Sequence, residues 1–175
     1  MSGLIQWRYF WIFWGSGLAL FLFLVVSGGA LQTEVAPGGI LDHQSAATAE
    51  RVNAIQASWS DAGVLAQAKL GMIGDLVFIL LYSLGGIIGG RLLWQNANSP
   101  TLKKLGLLVI LSYFAFFITD YGETVSQLVQ LIQGQGSDTL AGIAAFFRPV
   151  KVASWIAGTL MILIALIWFW RDQRA

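Results

Sequence analysis

Two carboxylates lie where an apolar segment of the sequence ends, in the stretch FITDYGETV at residues 117–125. Asp120 and Glu123 follow the apolar run LGLLVILSYFAFF, which has the composition of a membrane helix. Ionised side chains are costly in hydrocarbon, so acids in such a place indicate an ion pair, a polar cavity or a functional site. Two neighbouring carboxylates can bind a cation or act as general acid and base.

Other ionisable residues are predicted to lie at the same membrane depth as this pair. We count from the basic residue at the opposite end of each helix, at about 1.5 Å per residue. Asp75 and Asp120 then both lie about 24 Å from that residue, Glu123 about 28 Å and Lys151 about 30 Å. The hydrocarbon core is about 30 Å thick, so these groups are predicted to form one polar layer just inside one membrane face. Arg148 is predicted to lie slightly beyond it.

Two tyrosines, one on the second span and one on the third, are predicted to lie at matching depths closer to the membrane midplane. Tyr82 lies seven residues after Asp75, and Tyr113 lies seven residues before Asp120. Because seven residues are close to two helical turns, each tyrosine shares a helix face with its aspartate. The two stripes are therefore predicted to face each other or a shared interior.

Three interpretations of this polar layer stay open at the level of sequence. Asp75 can pair with Lys151 in an ion pair that only fixes helix register. Asp120 or Glu123 can pair in the same way with Arg148. The same side chains can instead line a polar site that opens outward, or simply reach nearby water by snorkelling. Three acids face one or two bases, and such an unbalanced cluster is expected to attract a cation.

The composition identifies the elements that must position these residues. The chain has 175 residues, of which 57% are hydrophobic and 11% charged, whereas soluble domains carry about 25% charged residues. We therefore predict an all-α integral membrane protein. The formal net charge of +1 indicates no nucleic-acid partner. There is no cysteine, and the single histidine, His43, is expected to be a surface residue of a loop, so no metal site and no cofactor are predicted.

Four segments are predicted to cross the bilayer as a four-helix bundle, because each approaches or exceeds the roughly 20 residues that a spanning helix needs. They cover about residues 9–31, 70–93, 105–132 and 150–170. The excess of Lys and Arg on one side predicts that both termini are cytoplasmic. The six basic residues on that side are Arg8, Arg91, Lys103, Lys104, Arg171 and Arg174.

Two further helices are predicted between the spans. An amphipathic helix over about residues 46–59 places Val52, Ile55 and Trp59 on one face in the first outer loop, with Ser45 or Thr48 as its N-cap. A short outer helix over about residues 138–147, capped by Ser137, is predicted to end before Arg148-Pro149.

Glycines of the second span are spaced so that a neighbouring helix can approach closely, either within the bundle or in a dimer. These are Gly85, Gly86, Gly89 and Gly90. On the first span, Gly15, Ser16 and Gly17 are predicted to supply a matching flat surface.

Several short motifs carry a resemblance. They are the PGGI turn at 37–40, GDLVFILLY at the start of the second span, the D-x-x-E pair at Asp120 and Glu123, and Lys151 at the start of the fourth span. In these motifs the chain resembles a group of small bacterial four-helix membrane proteins, although Thr124 stands where that group often has Asn. The resemblance implies the four-span fold and a bacterial cytoplasmic membrane, and it implies no activity.

Three functions are compatible with these features. In the first, the outward-facing polar layer binds a cation, a polar head group or a small amphiphile such as a lipid. In the second, the protein is an accessory or structural subunit of a homo-oligomer or a larger membrane complex, and the polar layer consists of structural ion pairs. In the third, the carboxylates act as acid and base on a lipid-like substrate, although no nucleophile, metal set or cofactor motif accompanies them. The lipid bilayer is a partner in all three.

Overall fold

The structure, a computed structural model, describes residues 2–172 and the side chains of residues 7–172, so Arg174 lies outside the described residues. Every regular element in that range is a helix. The α-helices are α1 (Ser2–Ser27), α2 (Ile40–Ser45), α3 (Ala49–Asp61), α4 (Leu65–Asn96), α5 (Pro100–Gln133) and α6 (Asp138–Asp172), and a 3-10 turn at Gly28–Leu31 follows α1.

Four of these helices are long and apolar enough to cross a membrane. They are α1 together with the turn that follows it, over Trp7–Leu31, and the whole of α4, α5 and α6. This confirms the prediction of an all-helical protein with four membrane spans. The last three have 32, 34 and 35 residues. Because about 20 residues cross the hydrocarbon, each of them is long enough to continue beyond it.

Helix α6 differs from the sequence prediction, which ended a short helix at residue 147 and began a span at residue 150. The structure has one continuous helix through Pro149. Proline lacks the N–H that would bond four residues earlier, which is why it usually ends a helix. Membrane helices tolerate it because neighbouring groups can satisfy the freed carbonyl. The predicted cap is present, since the Leu140 N–H donates to Ser137 Oγ over 3.4 Å.

The chain divides into two compact units, and each unit contains part of every long helix. Within the described range, the first unit comprises residues 2–18, 79–118 and 150–172. The second unit comprises Ala19–Phe78 and Thr119–Pro149, and it includes α2 and α3.

In the first unit, two glycines of α4 allow neighbouring helices to pack at short range. A Cβ atom on Gly85 would collide with the backbone of Trp14 on α1. A Cβ atom on Gly86 would collide with the ring of Tyr113 on α5. The predicted use of these glycines for packing inside the bundle is therefore confirmed within this unit.

The matching surface predicted on α1 is present at only one of its two glycines. A Cβ atom on Gly17 would lie 2.8 Å from the backbone nitrogen of Tyr82, so Gly17 takes part in the close approach to α4. Gly15 has open space at the same position, and Ser16 bonds within its own helix, to the carbonyl of Ile12 over 2.6 Å. Because successive residues of a helix are about 100° apart, Gly15 and Gly17 do not lie on one face.

The second unit has an apolar core to which α3 contributes one face. Helix α3 lies where the amphipathic helix is predicted, and its N-cap is Thr48, whose Oγ1 accepts from the Arg51 N–H over 3.3 Å. The Trp59 Nε1–H donates to the Leu31 carbonyl over 2.8 Å. The buried residues of this core are Leu31, Ala36, Ala46, Val52, Ile55, Trp59, Ala68, Met72, Leu131 and Ala141.

His43 corrects the expectation of a surface histidine. Its side chain is 1% exposed and stacks on the indole of Trp59, with 5.2 Å between ring centroids. Its Nε2 lies 3.4 Å from Nε2 of Gln56, which is also buried. The short helix α2 carries this ring against the core of the second unit, a placement that its polar neighbours in the sequence do not indicate.

The N-terminal turn of α3 is bonded to the connection between α5 and α6. The Ala49 N–H donates to Asp138 Oδ1 over 2.7 Å. The Gly136 N–H donates to Asn53 Oδ1 over 2.6 Å. These bonds satisfy backbone donors at the start of α3 and in the turn before α6, which helix ends otherwise leave without partners.

Candidate functional site

Helix α5 has a buried polar face in the second unit. Its polar residues recur along about three turns, at the spacing of one side of a helix. Polar groups that are removed from water are unfavourable unless they find partners, so a polar face of this length needs a specific cause. The residues of this face are Thr119, Asp120, Glu123, Thr124, Ser126, Gln127 and Gln130.

Asp120, Glu123 and Gln127 form the centre of this face. They lie at positions i, i+3 and i+7, which are neighbours on a helix surface. Their side chains are 3%, 0% and 1% exposed. Gln127 Nε2 donates to Glu123 Oε1 over 3.5 Å, and Gln127 Oε1 is buried without a hydrogen-bond partner. The Glu123 carboxylate and the Gln127 amide thus lie together away from water, with Asp120 one turn earlier on the same buried face.

Asp75 lies next to this face. Thr124 Oγ1 donates to Asp75 Oδ2 over 2.9 Å, which joins α5 to α4 inside the second unit. Asp75 itself is half-buried. The sequence prediction that α4 and α5 carry acids at one level is consistent with this contact, although it runs through a threonine that the prediction did not include.

Ser126 and Gln130, on the same face, form hydrogen bonds with backbone groups. Ser126 Oγ donates to the Gly122 carbonyl over 2.7 Å. Gln130 Nε2 donates to the Ser126 carbonyl over 3.0 Å, and its Oε1 accepts from the Ser137 N–H over 2.9 Å. The polar groups of Ser126 and Gln130 are therefore bonded to backbone groups, whereas Gln127 Oε1 has no hydrogen-bond partner.

Arg148 is half-buried on α6, also in the second unit. The residue before it, Phe147, has its ring 2.7 Å from where a Cβ atom on Gly122 would lie. Arg148 therefore lies near the level of α5 that carries Glu123. Its ion pair with Asp120 or Glu123 stays a prediction.

Tyr82 and Tyr113 belong to the first unit, where their ring centroids are 5.2 Å apart. The tyrosine parts of the two predicted stripes therefore contact each other, while the arrangement of the whole stripes stays a prediction. Trp14 Nε1 donates to Tyr113 Oη over 2.8 Å, and Tyr82 Oη is hydrogen-bonded to Thr159 Oγ1 at 2.7 Å. One buried cluster thus contains a side chain from each of the four long helices.

The seven residues predicted to form one layer are divided between the two units. The second unit holds the acids and one base, namely Asp75, Asp120, Glu123 and Arg148, and the first unit holds Tyr82, Tyr113 and the half-buried Lys151. The acids of the second unit form the candidate site, and the tyrosines belong to a packed aromatic cluster.

We expect Tyr113→Phe to destabilise the protein by roughly 1–2 kcal/mol, because the buried Trp14 indole N–H loses its acceptor. Thermal unfolding in detergent, followed by circular dichroism, measures the change. Tyr9→Phe is the matched control, since Tyr9 lies on the same unit and is 52% exposed. Trp14→Phe and the double variant complete a double-mutant cycle, in which the two losses of stability should be less than additive. An unchanged midpoint for Tyr113→Phe would contradict the role of this bond.

The predicted polar layer does not include Gln127, because its membership rests on the membrane depth of ionisable residues and glutamine is not ionisable. The periodicity that links Asp120 to Glu123 continues to Gln127 and Gln130, at steps of three, four and three residues. Extending the face by helical spacing would have found both glutamines. Nothing in the sequence distinguishes the bonded amide of Gln130 from the amide oxygen that Gln127 leaves without a partner.

The chemistry that this face supports is the binding of positive charge or of hydrogen-bond donors. Carboxylate and amide oxygens accept hydrogen bonds and attract cations. Within residues 2–172, no group of three or more His, Asp or Glu side chains is arranged to hold a metal ion.

Comparison of the chain with protein-family models, with curated proteins and with solved structures gives no match. The resemblance to small bacterial four-helix membrane proteins stays a prediction from short motifs.

Proposed function

We propose that this protein is a multi-pass protein of the bacterial cytoplasmic membrane that binds a cation, a polar head group or a small amphiphile. Asp120, Glu123 and Gln127 form the centre of its site. The observation that supports this function is the burial of two carboxylates and an unpartnered amide oxygen on adjacent turns of a membrane helix. Two acids in one protein-covered place concentrate negative charge, and such a place attracts a cation or a hydrogen-bond donor.

The ligand is proposed to enter from the side opposite the cytoplasm. Depth counting puts the three acids near the membrane face away from the basic residues, and that basic face is cytoplasmic by the distribution of Lys and Arg. A ligand that partitions into the outer leaflet would reach α5 at the level of Asp120 without crossing the hydrocarbon midplane.

The combined substitutions Asp120→Asn and Glu123→Gln are expected to remove a bound ligand while leaving expression unchanged, because both keep the side-chain volume. The protein is extracted gently with its own lipids and examined by native mass spectrometry. The wild-type protein should carry a bound species that is absent from the double variant. Glu50→Gln, which removes an exposed acid from the first turn of α3, should retain it.

Equal retention by the wild-type protein and the double variant would contradict the proposed site, and so would wild-type protein that is free of any bound species. Circular dichroism and size-exclusion chromatography of each variant show whether it is folded. They separate the loss of a ligand from the loss of the fold.

The second candidate function is that of an accessory subunit of a larger membrane complex or homo-oligomer. The glycines of α4 no longer favour it. Gly85 and Gly86, which a dimer contact would need, instead face Trp14 and Tyr113 within the first unit. Exposed aromatic side chains near the chain ends, such as Trp11 and Trp170, could still contact a partner. Gentle solubilisation that yields a larger assembly would favour this candidate, and a stable monomer would count against it.

A further inference from the structure

We infer that the group bound between Asp120, Glu123 and Gln127 is a primary ammonium. This inference rests on the proposed function and narrows its ligand to one chemistry. A primary ammonium has one positive charge, three N–H donors and no acceptor. The site offers two carboxylates and one amide oxygen, so its groups match those donors in number and in sign.

Gln127 provides the most specific part of the match. Its Nε2 is directed to Glu123 Oε1, which leaves its Oε1 as a buried acceptor without a donor. A buried amide oxygen without a hydrogen bond is unfavourable, and an N–H of a bound ammonium would satisfy it. Each ionised carboxylate has about four acceptor positions, so Asp120 and Glu123 can accept from a ligand in addition to their other contacts.

Other cations fit this face less well. Ca²⁺ and Mg²⁺ take about six or more oxygen ligands, and the described chain has no cluster of three acidic or histidine side chains placed to hold a metal. Quaternary ammonium groups lack N–H donors and are held by aromatic faces. A quaternary ammonium therefore has no N–H to donate to the buried oxygen of Gln127.

A primary ammonium reaches a membrane site from two sources. One is the head group of an ethanolamine phospholipid, in which a phosphate accompanies the ammonium. The half-buried Arg148, near the level of Glu123, is a cation of the second unit that such a phosphate could meet. The other source is a free small amine from the aqueous phase. Both present the same group to Asp120, Glu123 and Gln127.

The first experiment uses the purified full chain in detergent, with ethanolamine, choline and sodium chlorides as probes at equal ionic strength and pH. Thermal unfolding is followed by tryptophan fluorescence. Ethanolamine is expected to raise the unfolding midpoint with an apparent affinity at least about tenfold tighter than that of choline or sodium. The comparison of probes on the wild-type protein needs no substitution, so it cannot be confused with misfolding.

Substitutions then locate the effect. Glu123→Gln and Gln127→Leu are each expected to weaken the ethanolamine response at least about tenfold, and Glu50→Gln is expected to leave it unchanged. Gln127→Leu is the more specific of the two, because it keeps both carboxylates. A full response in Gln127→Leu would overturn the role given to the amide oxygen.

The second experiment distinguishes the two sources. The full chain is placed in nanodiscs that contain equal amounts of ethanolamine, choline and glycerol phospholipids, and the lipids that stay bound are identified by native mass spectrometry. Preferential retention of the ethanolamine lipid, lost in Glu123→Gln, supports the inference with a lipid as the source. An ethanolamine response without lipid preference supports it with a free amine.

The remaining outcomes separate this inference from the proposed function. If choline or sodium acts as strongly as ethanolamine, and does so through Glu123, the ammonium inference is overturned while the binding function stands. If no probe shifts the midpoint and no molecule is retained, both are overturned.

Discussion

Gly85→Val is expected to prevent stable folding of the first unit, because a side chain at this position would collide with the backbone of Trp14. Overpacking usually costs about 1–3 kcal/mol, and here the obstacle is main chain that cannot change rotamer, so we expect about 3 kcal/mol or more. Helix propensity does not oppose the change, since Val is slightly more favourable than Gly in a helix. The loss therefore measures the close approach of α1 to α4.

Gly15→Val is the matched control for this prediction. It introduces the same side chain into α1 of the same unit, at a position that has open space. The monodisperse fraction after detergent extraction and the thermal midpoint are measured for both variants. Gly15→Val should resemble the wild-type protein, whereas Gly85→Val should give little folded protein. Equal midpoints would show that α1 and α4 can move apart at no cost.

Acidification is expected to destabilise the second unit through His43. Burial lowers the pKa of this histidine from 6.5 to about 4. Between those two pH values the unfolded chain binds a proton that the folded chain does not. The stability is therefore complete above about pH 6.5 and falls as the pH decreases toward 4. At about 1.4 kcal/mol per pKa unit, the loss reaches about 1.4 kcal/mol at pH 5.5 and about 3 kcal/mol at pH 4.

His43→Phe tests the origin of this pH dependence. Phenylalanine keeps a ring to stack on Trp59 and cannot titrate. The variant is expected to have nearly the same thermal midpoint at pH 7.5 and pH 5.5, while the wild-type protein loses stability over that interval. The two proteins share every carboxylate, so the difference between their pH dependences isolates the histidine. An equal loss in both proteins would assign the effect to another group.

The four spans could be predicted because lipid removes most structural alternatives. A chain in hydrocarbon must satisfy its backbone hydrogen bonds within each segment, so apolar length alone predicts the helices. The facing of Tyr82 and Tyr113 and the packing of Gly85 and Gly86 followed from helical periodicity. These features depend on one helix or on two adjacent helices, and sequence spacing describes them well.

The features that sequence did not predict depend on contacts between distant residues. The continuity of α6 through Pro149 depends on surroundings that tolerate a missing backbone donor. The burial of His43 depends on its position against Trp59, to which its own neighbours in the sequence give no clue. The unpartnered oxygen of Gln127 depends on which end of its amide turns toward Glu123. In each case the local pattern is the same as that of an ordinary surface or loop residue.

The hydrogen bonds at the start of α3 can form only after the chain has been synthesised as far as residue 138. The partners of Asn53 and Ala49 lie 83 and 89 residues later in the sequence. At a synthesis rate of about 5–20 residues per second, these partners follow α3 by about 4–18 seconds. During that interval α4 and α5 are made while the first turn of α3 lacks both contacts. The loop between the first two spans is therefore synthesised early and reaches its final structure only when α6 begins to form.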